Sequence, residues 1–173
     1  MNCAENLNEN YLNMMINVKE TAFVRERVEN LFKNILIPFD LSAQSTRSFK
    51  VAVDIAKKYD SKLTLLTCLE GDAWHHKYYD SRADNELIKK QKKVTEKHLE
   101  KLEAIAEKNN VSVKSHIIKS KSVINDIVVF AKSRKHDLIV IGSHGRTGLD
   151  KVLLGSVANG VSQKAKCPVL IVK

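Results

Sequence analysis

The chain has 173 residues, of which 43% are hydrophobic and 28% charged, with a formal net charge of +9. This size and balance describe one globular domain with room for a short appendage, and no apolar run approaches the length of a membrane-spanning helix. Cys3, Cys68 and Cys167 are odd in number and far apart, which excludes a disulfide framework or a C-x-x-C centre. "MNCAENLNEN" lacks the basic-then-apolar pattern of a secretory signal, so the chain reads as cytoplasmic with reduced thiols.

Residues 1–32 carry three basic and five acidic side chains, a net of −2, which leaves +11 for the remainder. Tyr11, Met14, Met15, Val18 and Ala22 keep a helical phase that slips to Val24, Val28, Leu31 and Phe32. The pattern predicts an amphipathic leading helix from about residue 11, an extension outside a domain spanning 33–173.

From Lys33 onward, short β-rich runs alternate with helical patterns. The predicted strands are "KNILIPF" (33–39), "SKLTLLTCL" (61–69), "VSVKSHIIK" (111–119), "DLIVIG" (137–142) and "PVLIVK" (168–173). All but the third are near-continuous apolar runs, as expected of strands covered on both faces, whereas the third alternates like a half-buried strand.

The first helix, 43–59, carries Phe49, Ala52, Val53 and Ala56 on one face. In 82–109, His98, Leu99, Leu102, Ile105 and Ala106 share a face. In 123–135 the stripe is Val123 or Ile124 with Ile127, Val128 and Ala131, and Ser122 is placed to cap it. In 155–166 it is Val157, Ala158, Val161 and Ala165, continuing from Leu154. Five strands and four helices in strict alternation specify an α/β fold with an open, mostly parallel sheet.

The excess of positive charge favours anionic partners. Lys89, Lys90, Lys92, Lys93, Lys97 and Lys101 all fall in the second helix, where a solvated helix face accounts for them. Aromatics are only 6% and do not interleave with basic residues, which argues against a nucleic-acid surface.

Ligands of such sheets bind beyond the carboxyl ends of the strands. Asp40 follows the first strand and Gly142 sits at the tip of the fourth. Five of the six glycines lie between 142 and 160, in "IGSHGRTGLDKVLLGSVANG". The connection from the fourth strand to the last helix takes about a dozen residues, where roughly 2–6 are usual. It holds no Asp or Glu from Gly142 to Leu149 but does hold His144 and Arg146. Ser156 can cap the helix behind it, whose free N–H groups form an anion site. Gly160, within that helix, suits close packing against the sheet.

No glycine of the loop is followed by lysine, which excludes a Walker A motif, and the G-x-x-G-x-x-G spacing is not the dinucleotide fingerprint. The S-G-G-x-D-S and H-x-G-H motifs of adenylate-forming enzymes are absent too. Gly142-x-x-Gly145, nine residues, then Gly155-Ser156 does resemble a known pattern: the ATP-binding branch of the universal stress protein family. The likeness runs from about Lys33 to Lys173, through "NILIPFDLS", "LTLLTCLE" and the tail "GSHGRTGLDKVLLGSVANGVSQKAKCPVLIVK".

That resemblance implies the strand order 3-2-1-4-5 of the adenine nucleotide alpha hydrolase-like, Rossmann-like folds, with helices on both faces. It implies that Pro38, Phe39, Asp40 and Cys68 line the adenine and ribose end of a nucleotide site. Cys68 stands where relatives commonly have a small apolar residue. Ile141, Gly142, Ser143, His144 and Gly145 would wrap ribose and phosphates, and Gly155, Ser156 and Val157 would meet the phosphate chain. ATP or AMP is the implied ligand, with Mg²⁺ held mainly by phosphates and water. The last strand, 168–172, would pair with its twin in a homodimer.

The implied role is a nucleotide-dependent stress-response or signalling module. His144 reads as a positioning contact rather than a base, so hydrolysis is expected to be slow or absent. The rival reading is a nucleotide-independent, chaperone-like or partner-binding module that uses the basic surface and the leading helix. "DAWHHKYYD" (72–80) reads as an exit loop over the nucleotide, since adjacent histidines are poor zinc spacing.

Overall fold

The computed structural model describes residues 32–70, 81–146 and 154–173. The predicted leading helix, the 72–80 stretch and Gly148 lie outside these. Within them the elements run β1 (Asn34–Pro38), α1 (Ala43–Tyr59), β2 (Lys62–Glu70), α2 (Ser81–Lys108), β3 (Val113–Ser120), α3 (Val123–Ser133), β4 (Leu138–Gly142), α4 (Ser156–Lys164) and β5 (Val169–Val172). All strand pairs are parallel, in the order β3-β2-β1-β4-β5. The architecture is the implied α/β fold.

Alternation along the strands divides the core in two. Ile35, Ile37, Leu63, Leu65, Leu138 and Val140 face α1 and α2, meeting Phe49, Ala52, Val53 and Ala56 of α1 and Leu99, Leu102 and Ala106 of α2. Leu36, Leu66, Ile139 and Ile141 face the other way, against Ile127 and Ala131 of α3 and Ala158 and Val161 of α4. Cys167 packs there as a small hydrophobe.

Four local expectations are corrected. On α2, Thr95 joins Leu99, Leu102 and Ala106 on the buried face, while His98 and Ile105 are exposed; the apolar signal straddled two faces of one helix. Ser122 occupies the α3 N-cap position, but its side chain makes no capping bond. At α4 the N-cap is Gly155, and Ser156 is already helical. A Cβ on Gly160 would come within 2.5 Å of Ile124 Cδ1, so that glycine admits α3 rather than the sheet.

The sheet's carboxyl end is fastened where β1 leaves it. Phe39 N–H donates to Leu66 C=O (2.9 Å), and the buried Thr67 Oγ1 donates to Phe39 C=O (2.8 Å). Thr67→Val keeps the shape but leaves that carbonyl without its partner. The expected loss is about 1 kcal/mol, read as a lower denaturant midpoint at unchanged m-value.

Candidate functional site

β1 and β4 are neighbours whose connections leave in opposite directions across the sheet, which opens a crevice between their carboxyl ends. Asp40 is not the α1 N-cap; Ser42 is, with its Oγ accepting from Ser45 N–H at 3.1 Å. Leu41 between them adopts φ 70°, a left-handed conformation that costs a non-glycine residue roughly 1–2 kcal/mol. This turn lets Asp40 bridge two segments. Its Oδ1 accepts from Ser42 N–H (3.1 Å) and its Oδ2 from Arg146 N–H (3.2 Å). The carboxylate is thus the latch that holds the β4 loop against β1.

The loop is also closed at its neck. Ser143 N–H donates to Val172 C=O (2.7 Å), and Gly155 N–H donates to Ser143 C=O (2.8 Å). The second bond brings the start of α4 to the tip of β4 although eleven residues lie between Ser143 and Gly155 in the sequence. The first intrahelical bond of α4 is Asn159 N–H to Gly155 C=O (2.9 Å). The N–H groups of Ser156, Val157 and Ala158 precede it, and among the described residues no side chain caps them. Three donors and the positive end of the helix therefore face one point.

The glycines sit at tight points of the protein's own packing. A Cβ on Gly142 would meet Gln44 Cβ at 2.9 Å, and one on Gly155 would meet Ser143 O at 3.1 Å and His144 Cα at 3.3 Å. On Gly145 it would lie 2.7 Å from Asp40 Oδ2. Each glycine thus lets the loop settle onto β1, α1 or itself, and the cleft's shape follows.

The result is a cleft of about 560 Å³, within the about 300–1,000 Å³ of small-molecule sites. It is lined by all twelve residues singled out in the sequence: Pro38, Phe39, Asp40, Cys68, Ile141, Gly142, Ser143, His144, Gly145, Gly155, Ser156 and Val157. Its apolar wall also includes Leu66, Val123, Ile127 and Ala158, with Glu70 and Arg146 among the polar lining. Leu66 stands two residues before Cys68 on the same strand face, a placement readable from alternation. That the first turns of α3 would close the wall required the tertiary fold.

The two ends of the cleft differ chemically. At the α4 end lie the N–H groups of its first turn, Arg146 and the His144 ring, whose Nδ1 is 3.1 Å from Ser143 Oγ. At the β2 end burial, then the charges of Asp126 and Glu70, push the Cys68 thiol up to about 11 from 9.0. Cys68 is therefore a neutral, half-buried wall residue at physiological pH. At pH 8 its thiolate fraction, and with it the iodoacetamide alkylation rate, is expected about a hundredfold below that of an unperturbed cysteine. Mass spectrometry of timed alkylation of the folded chain measures this. The raised pKa also means that Cys68 favours the folded state below pH 9 and that this contribution fades as pH rises toward 11.

The model of the universal stress protein family matches residues 31–173. This chain belongs to the universal stress protein family. A universal stress protein of Methanocaldococcus jannaschii is 38% identical over 147 residues, covering 84% of each chain. Universal stress protein UspA from Lactobacillus plantarum superposes with a TM-score of 0.77 at 26% identity, over 83% of this chain and 99% of that one. At the level of fold, so do a universal stress protein from Archaeoglobus fulgidus in complex with dAMP (TM-score 0.59, 23% identity, 83% and 99% covered) and a universal stress protein in complex with cAMP (TM-score 0.59, 21%, 83% and 99%). Among the described residues no group of His, Cys, Asp and Glu could hold a metal ion, and no helix is long and apolar enough to cross a membrane.

Proposed function

We propose that this protein binds an adenine nucleotide, ATP or AMP, in the cleft between β1 and β4, and acts as a nucleotide-dependent stress-response or signalling module of the cytoplasm. The observation that carries the proposal is the juxtaposition of three uncapped N–H groups at the start of α4 with an apolar wall across the cleft. A phosphate accepts from Ser156, Val157 and Ala158, and a purine packs between Pro38, Cys68, Val123 and Ile127. Ribose then lies over Asp40, Gly142 and Ser143. The structures with dAMP and cAMP in the same fold support the nucleotide class.

Mg²⁺ fits as a companion of the phosphates, coordinated by their oxygens and by water. The Asp40 carboxylate already accepts two backbone N–H groups, and Glu70 belongs to the opposite end. The chain's contribution is to bind and orient, with His144 placed by Ser143 rather than poised as a base, and turnover slow or absent. Residues 33–173 form the binding domain and 1–32 an extension. β5 is an edge strand whose Leu170 is exposed, and an apolar edge invites pairing with its twin, the homodimer that sedimentation velocity would register as twice the chain mass.

Denaturing the purified protein and resolving the released small molecules by mass spectrometry tests the nucleotide reading. Adenine nucleotide in the supernatant is the expected result. Absence there, together with no heat of binding for ATP or AMP at millimolar concentration with Mg²⁺, overturns it.

A further inference from the structure

We propose that the outer face of α2 is a docking surface for an amphipathic helix with acidic flanks on a partner protein. Among the described residues five large hydrophobic side chains are exposed, and three of them, Leu87, Val94 and Ile105, belong to this one helix, at 41%, 51% and 39% exposure. At 100° per residue the three fall within about 20° of one another. They form a single stripe along about 27 Å of helix, at 1.5 Å per residue. The stripe is distinct from the buried face of Thr95, Leu99, Leu102 and Ala106, which lies about a quarter turn away and packs on the sheet. Seven and then eleven residues separate the three, spacings that each bring a helix back to the same face.

The flanks decide the occupant. On one side stand the exposed Lys90, Lys97 and Lys101; on the other, nearer the body, stand Gln91 and His98, the latter with Nδ1 2.9 Å from Val94 C=O. The ion pairs described on α2 are Lys89–Glu86 (2.8 Å) and Lys92–Glu96 (3.7 Å), neither of which engages the three flanking lysines. A partner helix that lays apolar side chains on Leu87, Val94 and Ile105 gains three charge contacts if its own flank is acidic. A second copy of the chain does not fit as well. In an antiparallel two-fold pair each lysine row meets its own image, and in a parallel pair it meets the neutral flank.

The test uses two synthetic heptad peptides, Leu at the seam with Glu at the flanks or Leu at the seam with Lys at the flanks, titrated against the full chain by fluorescence anisotropy. The Glu-flanked peptide is expected to bind at least tenfold tighter than the Lys-flanked one, and more weakly at raised salt. Val94→Asp, at an exposed position that leaves the core intact, is expected to weaken binding at least tenfold. The triple change Lys90→Glu, Lys97→Glu and Lys101→Glu is expected to reverse the preference, a gain that misfolding cannot produce. Equal binding of the two peptides, or no response to Val94→Asp, overturns the proposal. So does sedimentation velocity in which Val94→Asp dissociates an assembly of the chain itself, which would assign the stripe to a second copy.

Discussion

Gly145→Ala is expected to lower adenine-nucleotide affinity at least a hundredfold in a chain that still folds. The added Cβ would sit 2.7 Å from Asp40 Oδ2, inside any real contact distance, and the next nearest atom, Asp40 Cγ, is 3.9 Å away. The clash is thus with the tip of one side chain and not with backbone or core. Asp40 yields by rotating, and in doing so gives up the N–H groups of Ser42 and Arg146 at 3.1 and 3.2 Å. The Arg146 bond is exposed and the Ser42 bond part-buried, so water replaces the lost partners and each loss falls below the roughly 1.5–3 kcal/mol of a hydrogen bond to a charged group. The binding loss is larger because the latch sets where the whole loop from Gly142 to Arg146 lies, and several lining groups move together. Isothermal titration with ATP or AMP, run beside thermal unfolding, separates the two effects. Unchanged affinity would show that the latch is not part of the site.

The central strands were legible because burial on both faces leaves little freedom: "LIVIG" becomes β4, buried at all five positions, whereas β5, expected to be covered on both faces as well, is an edge strand with Leu170 exposed. Phe49, Ala52, Val53 and Ala56 were equally plain, since one stripe of α1 meets one sheet face. α2 was misread in phase because two apolar stripes run along it, one facing the core and one facing solvent, and sequence periodicity adds them together. Capping was a partial guide: Ser122 holds the α3 N-cap position without making a capping bond, and at α4 the cap falls one residue earlier, on Gly155, which donates its N–H to Ser143 C=O. The glycine spacing located the cleft, although the steric partners of those glycines turned out to be Gln44, Asp40, Ser143 and His144. Spacing records which positions must lack a Cβ; only the fold shows what would have collided with it. Val123 and Ile127 were read as core of a helix far along the chain, and their place in the cleft wall depends on α3 crossing the carboxyl end of β2.

Ser156→Pro isolates the backbone donor that the binding proposal needs most directly. Ser156 is the first helical residue of α4, the position at which proline is tolerated because its missing N–H would have no intrahelical partner. Proline also demands an extended residue before it, and Gly155 already has φ −64° and ψ 154°. The substitution should therefore leave the helix and the unfolding temperature nearly unchanged while removing one N–H and one hydroxyl from the phosphate end. A hydrogen bond to a charged group is worth about 1.5–3 kcal/mol, so affinity is expected to fall about tenfold to a hundredfold. Ser156→Ala removes the hydroxyl alone and serves as the comparison. If the proline variant is weaker than the alanine variant, the difference belongs to the N–H. If both bind like the parent chain, phosphate does not sit at the start of α4, and the uncapped turn has another occupant.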